Sequence, residues 1–130
     1  MDAAAEHDWV KEGLLIEGLR DWNSLSNVHS SFMPETGPPR PTHEIQRLTL
    51  AMIRELVSEG MCVLGVPRGR PNPQFEPWDL PLDAAMAKIE DAYVYHFDDV
   101  WGWRTMCWLD VTEKGKKLAL ELYHAEGTEP

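Results

Sequence analysis

A chain of 130 residues with 43% hydrophobic content is long enough for one domain with its own core. Its formal net charge of −10 and sequence pI of about 4.8 disfavour phosphate backbones and anionic membranes, and favour basic partners. The opening MDAAAEHDWV has neither a cationic region nor an apolar run, and no apolar segment approaches the roughly 20 residues of a membrane span. A soluble cytoplasmic protein without a signal peptide is therefore expected.

Residues 1–8 read as a flexible tail, 9–124 as a single domain and 125–130 as a second polar tail. Asp8 can cap a first helix whose Val10, Leu14, Leu15, Leu19 and Trp22 form an apolar stripe through Leu25. Gly13 and Gly18 each weaken that helix by about 1 kcal/mol relative to alanine, so packing must hold it. Residues 26–41 contain Pro34, Pro38, Pro39 and Pro41 and read as a semi-rigid loop. Thr42 then caps the strongest helix. Ile45, Leu48, Met52, Ile53, Leu56 and Val57 keep a 3.6-residue period, and Gly60 stands at C′. Met61–Val66 is a short apolar run read as a strand, and Pro67–Pro77, with Arg68 and Arg70, reads as an exposed loop.

The stretch from Trp78 to Leu122 organises the rest. Leu82, Ala85, Met86, Ile89 and Tyr93 recur at helical spacing, so Pro81–Ala92 is predicted helical, with Asp79 as N-cap. Tyr93–Phe97 and Trp103–Val111 are β-branched and aromatic, and Asp98, Asp99 and Gly102 separate them; this predicts a hairpin. Thr112 is a good N-cap for a last helix with Leu118, Ala119 and Leu122 on one face. The expected fold class is α+β: a winged-helix-like domain of about four helices with a small antiparallel hairpin sheet.

From Arg47 onward the chain resembles a group of small bacterial winged-helix proteins of mostly uncharacterised function. The segments RLTLAMIRELVSEGMCVLG, FEPWDLPLDAAMAKIEDAY and CWLDVTEKGKKLALEL carry the resemblance, with Trp78 and the LDVTEKG turn its most distinctive parts. It implies a fold rather than an activity. Some acidic members resemble the immunity partners of secreted bacterial toxins, which implies a protein partner.

Catalytic and metal chemistry find little support. Cys62 and Cys107 are 45 positions apart, without CxxC or histidine spacing, and lie in apolar strand contexts where cysteine behaves as a small hydrophobe. His96 with Asp98 and Asp99 has ligand chemistry for a divalent ion, but the three are also ordinary turn composition. His43-Glu44 at a helix start is an acidic first turn facing the helix dipole. There is no G-x-S-x-G, P-loop or dinucleotide fingerprint. The sequence predicts no enzyme, no metal and no cofactor.

A winged helix invites a DNA-binding reading, and charge argues against it. The helix predicted to enter the groove, 81–92, carries Asp83, Glu90 and Asp91 against Lys88 alone. From Glu76 to Glu113 there are nine acidic residues against two basic ones, Lys88 and Arg104. Each phosphate contact needs a cation, so this surface repels nucleic acid. The basic clusters left are Arg68/Arg70 and Lys114/Lys116/Lys117. The same acidic half holds four of the six tryptophans, Trp78, Trp101, Trp103 and Trp108. Strand alternation would put Trp101, Trp103, Thr105 and Cys107 on one face and Met106 and Trp108 on the other. A small wing cannot bury both faces, and exposed tryptophan ringed by carboxylates is hot-spot composition for a cationic protein. The expected partner-binding residues are Asp83, Glu90, Asp91, Asp98, Asp99, Trp101 and Trp103. The expected function is that of an immunity or antitoxin protein covering the cleft of a basic, nuclease-like toxin. The alternatives are a dimeric winged-helix regulator binding DNA, and a phage anti-defence inhibitor.

Overall fold

The structure, a computed structural model, describes residues 2–125. Its elements, in chain order, are α1 (Ala3–Glu17), β1 (Asn23–Ser24), α2 (Leu25–Ser31), α3 (Thr42–Ser58), β2 (Cys62–Arg68), β3 (Gln74–Pro77), α4 (Leu82–Tyr93), α5 (Val100–Trp103), β4 (Trp108–Val111) and α6 (Glu113–Ala125). The chain is thus α+β, with six helices rather than about four among the described residues, and a four-stranded antiparallel sheet ordered β1-β4-β2-β3.

The first helix starts at Ala3, earlier than predicted. Asp2 caps it by accepting from the Ala5 N–H at 2.7 Å, so residues 3–8 are not a tail. Helix α1 stops at Gly18, whose N–H donates to the Leu14 carbonyl at 3.0 Å, and buried Asn23 adds a second donor to that oxygen, from Nδ2 at 3.0 Å. Where the first helix is predicted to run on to Leu25 and a loop to follow, the Ser24 hydroxyl accepts from the Asn27 N–H at 3.1 Å and starts α2. At the other end, Ala125 completes α6, and the rest of the predicted C-terminal tail lies outside the described residues.

Helix α3 follows its periodicity. Ile45, Thr49, Met52, Ile53 and Leu56 face inward, and the helix closes with Gly60 at φ +74° and a Met61 N–H to Leu56 carbonyl bond of 2.9 Å. Its cap differs from expectation: Thr42 is the first helical residue, and Pro41 precedes it without a side-chain bond. The same holds for α4, where Pro81 rather than Asp79 is the N-cap. Thr112 acts as predicted. Its hydroxyl accepts from the Gly115 N–H at 3.1 Å and donates to the Gly60 carbonyl at 2.6 Å, tying the end of α3 to the start of α6.

The predicted hairpin of 93–97 with 103–111 does not form. Tyr93 ends α4, 94–98 are turns, and Trp103 lies in α5; only 108–111 is extended. Strand β4 pairs instead with β2 (Leu64 opposite Leu109) and with β1 (Ser24 opposite Trp108). The hairpin of the sheet lies upstream, where β2 and β3 pair across the Pro-rich stretch read as loop, with Val66 opposite Glu76. The physical reason is spacing. Tyr93 and Phe97 are four residues apart, which a helical path also puts on one side, and both reach the Trp103 ring at 4.9 and 5.0 Å. Burying three rings together outweighs a short exposed ladder, since each large aromatic removes about 150–250 Å² from water.

The core is continuous. Leu15, Leu25, Val28, Met52, Ile53, Leu56, Ile89, Tyr93 and Leu109 are fully buried between the sheet and the helices. Helix α1 packs along α6, and α3 against α4. Each such side chain contributes about 1.5–3 kcal/mol through burial.

Candidate functional site

The end of α4, the turns after it and α5 form one surface with two layers. The inner layer is an aromatic cluster. Phe97 stacks on Trp103 at 5.0 Å and 18°, and the Trp103 indole N–H donates to the Phe97 carbonyl at 2.9 Å. His29 of α2 meets Tyr93 edge-on, and its Nδ1 shares a hydrogen bond with the Tyr93 hydroxyl. Burial lowers the His29 pKa and pushes the Tyr93 phenol up to about 12, so a neutral imidazole and an un-ionised phenol share that bond. The buried Thr49 hydroxyl faces the phenol without meeting hydrogen-bond geometry. Gln46 Nε2 donates to the Tyr93 carbonyl at 3.0 Å. This layer holds α2, α3, α4 and α5 together.

The outer layer is exposed. Trp101 is 86% exposed and Tyr95 70%, and Val100 beside them is also open to solvent. In the same stretch of chain the exposed residues Glu90 and Asp91 stand in the last turn of α4, and Asp98 and Asp99 just before α5. The Asp99 carboxylate folds against α5: a Cβ at Gly102 would stand 2.3 Å from its Oδ2 and push the carboxylate aside. His96 Nδ1–H donates to the Asp91 carbonyl oxygen at 2.8 Å. That bond, then the charges of Asp91, Asp98 and Asp99, raises its pKa. The Arg104 guanidinium lies over the Trp101 ring at 5.9 Å.

The expected set therefore divides. Asp91, Asp98 and Asp99 all act on His96 and so lie near one another, while Glu90 and Trp101 are exposed in the same stretch of chain. Trp103, at 5% exposure, is interior and cannot anchor a partner. Asp83 lies at the opposite end of α4, about 12 Å from Asp91 at 1.5 Å per residue, and pairs with Arg54 at 2.8 Å. Tyr95 was missed because a strand reading hid its exposure, and Val100 because it lay in the predicted turn between the two strands. Arg104 over Trp101 has no sequence signature beyond the i,i+3 interval, which counts only once the segment is known to be helical. Trp78 is half-buried against the core, with Lys88 Nζ over its ring at 4.3 Å.

Other chemistry is weakly furnished. Burial pushes both thiols up to about 12, at Cys62 with help from Asp110 and at Cys107 against the pull of Lys88. Neither thiol is a thiolate nucleophile near neutral pH. Among the described residues no group of three or more His, Cys, Asp or Glu side chains is placed to hold a metal ion. Two clefts, of about 60 and about 310 Å³, are lined by Ala3, Phe32, Met52 and neighbours and by Gly18, Trp22, Asp110 and neighbours; neither borders the acidic face. The basic clusters are partly committed, with Arg68 on Glu76 at 2.8 Å and Lys114 Nζ on the Glu59 carbonyl at 2.7 Å. No helix among the described residues is long and apolar enough to cross a membrane. Comparisons of the chain with protein-family models, curated proteins and solved structures give no match.

Proposed function

We propose that this chain is an acidic protein-binding module of the cytoplasm, an immunity- or antitoxin-type protein that covers the cleft of a basic, nuclease-like toxin. One observation carries the reading: exposed Trp101 and Tyr95 share one stretch of chain with four exposed carboxylates, on a face that neither cleft borders. Exposed aromatic area supplies contact energy, and the carboxylates steer a cationic partner. A nuclease must itself be basic to hold phosphates, so it fits such a face. Two buried free thiols suit a reducing compartment.

The test pairs the chain with the product of its neighbouring open reading frame. Equimolar protein should abolish that product's nuclease activity. Replacing Asp98 and Asp99 by asparagine should slow association, and the loss should shrink as the Debye length falls from about 10 Å at 0.1 M salt to about 3 Å at 1 M. Trp101→Ala should speed dissociation by tenfold or more, about 1.4 kcal/mol. An acidic partner, or one indifferent to both changes, sinks the reading. A phage anti-defence inhibitor would use the same face, and the partner's identity separates the two.

The second reading is a dimeric winged-helix regulator. It draws support from α3 running into the β2–β3 hairpin, which carries Arg68 at the end of β2 and Arg70 in the turn, an order of helix then wing. With Lys114, Lys116 and Lys117 these would be its phosphate contacts.

A further inference from the structure

We infer that Arg104 is a resident cation on Trp101, occupying the site where an arginine or lysine of a cationic protein segment binds. This rests on the protein-binding reading above and names the contact that the partner makes.

Several cations of this chain are held firmly. Lys11 reaches Glu55 and Glu59 at 2.7 and 2.6 Å, and Arg40 forks onto Glu6 and also donates to the Phe32 carbonyl. Lys88 lies over Trp78 at 4.3 Å. Arg104 is held far more loosely. Its guanidinium carbon is 5.9 Å from the Trp101 centroid, at the outer limit of a cation–π contact, and its Nε donates to the Ser26 hydroxyl at a long 3.4 Å. Among the described residues it forms no ion pair with a carboxylate. Conversely, Glu90, Asp98 and Asp99 form no ion pair there either, and Asp91 meets only His96, at 3.9 Å. The face thus combines an open indole, surplus negative charge and a weakly tethered cation that swings away at little cost. Charge complementarity selects the occupant. A second copy of this chain, at net −10, is repelled, whereas a segment bearing guanidinium or ammonium groups is drawn to the carboxylates and the ring together. The backbone of Arg104 stays fixed during the exchange, because its carbonyl accepts from the Ser26 N–H at 3.1 Å.

The test is a double-mutant cycle with a nona-arginine peptide at low salt. Binding is followed by the Trp101 indole N–H resonance where the tryptophan is present, and by calorimetry in all four proteins. Arg104→Ala should tighten binding about two- to fivefold beyond the gain seen in a Trp101→Ala background, the span of a cation–π contact at an exposed site. The generic gain from deleting a positive charge is present in both backgrounds and cancels. Equal gains in the two backgrounds, or weaker binding by Arg104→Ala, overturn the resident-cation inference while leaving the protein-binding face standing. A peptide that leaves the resonances of Trp101, Asp98 and Asp99 unmoved overturns both. Melting curves of the variants confirm that each is folded, since both residues are exposed.

Discussion

Trp101 and Trp103 differ by two positions and occupy opposite environments. In a strand that interval returns a side chain to the same face; in a helix it turns it by about 200°. Because α5 is helical, one ring faces solvent and the other lies on Phe97 and Tyr93. Trp103→Ala should therefore cost about 3–5 kcal/mol, as expected for a buried large aromatic, whereas Trp101→Ala should stay within about 0.5 kcal/mol. Urea denaturation of the two variants checks this, and comparable losses would contradict the assignment of inner and outer layers.

The first turns of α1 are held by charge more than by apolar contact, since its first buried residue is Val10. His7 presents Nδ1 to Asp8 at 2.9 Å and Nε2 to Glu55 at 2.8 Å, and only the imidazolium donates to both. These bonds, Asp8 first and Glu55 second, raise its pKa above the ordinary 6.5 against a smaller effect of burial. Burial pushes Glu55 the other way, but the hydrogen bonds from Lys11 and His7 outweigh it and bring its pKa down. The stability His7 contributes is full below pH 6.5 and is lost as pH rises through the raised folded value. His29 acts in the opposite direction: its lowered pKa costs stability as pH falls below 6.5. The urea midpoint should peak near that value, with His7→Gln flattening the alkaline side and faster hydrogen exchange over residues 3–9. An alkaline limb unchanged in His7→Gln would refute the assignment. At the other end of the fold, Gly115 lets α6 start against the sheet, because a Cβ there would stand 2.4 Å from the Met61 carbonyl oxygen and 2.6 Å from Val111 Cγ1. Gly115→Ala should cost about 1–3 kcal/mol from overpacking, measured by chemical denaturation. A neutral or stabilising result would show that the end of α3 yields.

Across the whole molecule the decisive quantity is charge. The ion pairs that exist consume cations: Arg40, Arg54, Arg68 and Lys11 each answer a carboxylate, leaving the α4–α5 face with an excess of acid. Binding to mixed-sequence duplex DNA should accordingly be undetectable by fluorescence anisotropy at roughly physiological salt with low-micromolar protein. Saturable binding there, lost on replacing Arg68 and Arg70, would favour the regulator.

What the amino-acid order determined by itself was local or global, and nothing between. Helices α3, α4 and α6 were legible because a 3.6-residue stripe and its terminators lie within one segment, as with Ile45 to Leu56 before Gly60. The acidity of the 76–113 stretch was legible because charge needs no geometry. The sheet was not. A two-residue strand at Asn23–Ser24 exists only because β4 arrives beside it, and β4 pairs with β2 rather than with its predicted neighbour. Pairing over such distances is decided by which faces the whole core must cover, and alternation and i,i+4 spacing coincide at Tyr93 and Phe97. Hence the tertiary structure alone decided which tryptophan faces solvent. Burying Tyr93, Phe97 and Trp103 together bent the chain into α5, and that turn leaves Trp101 outside.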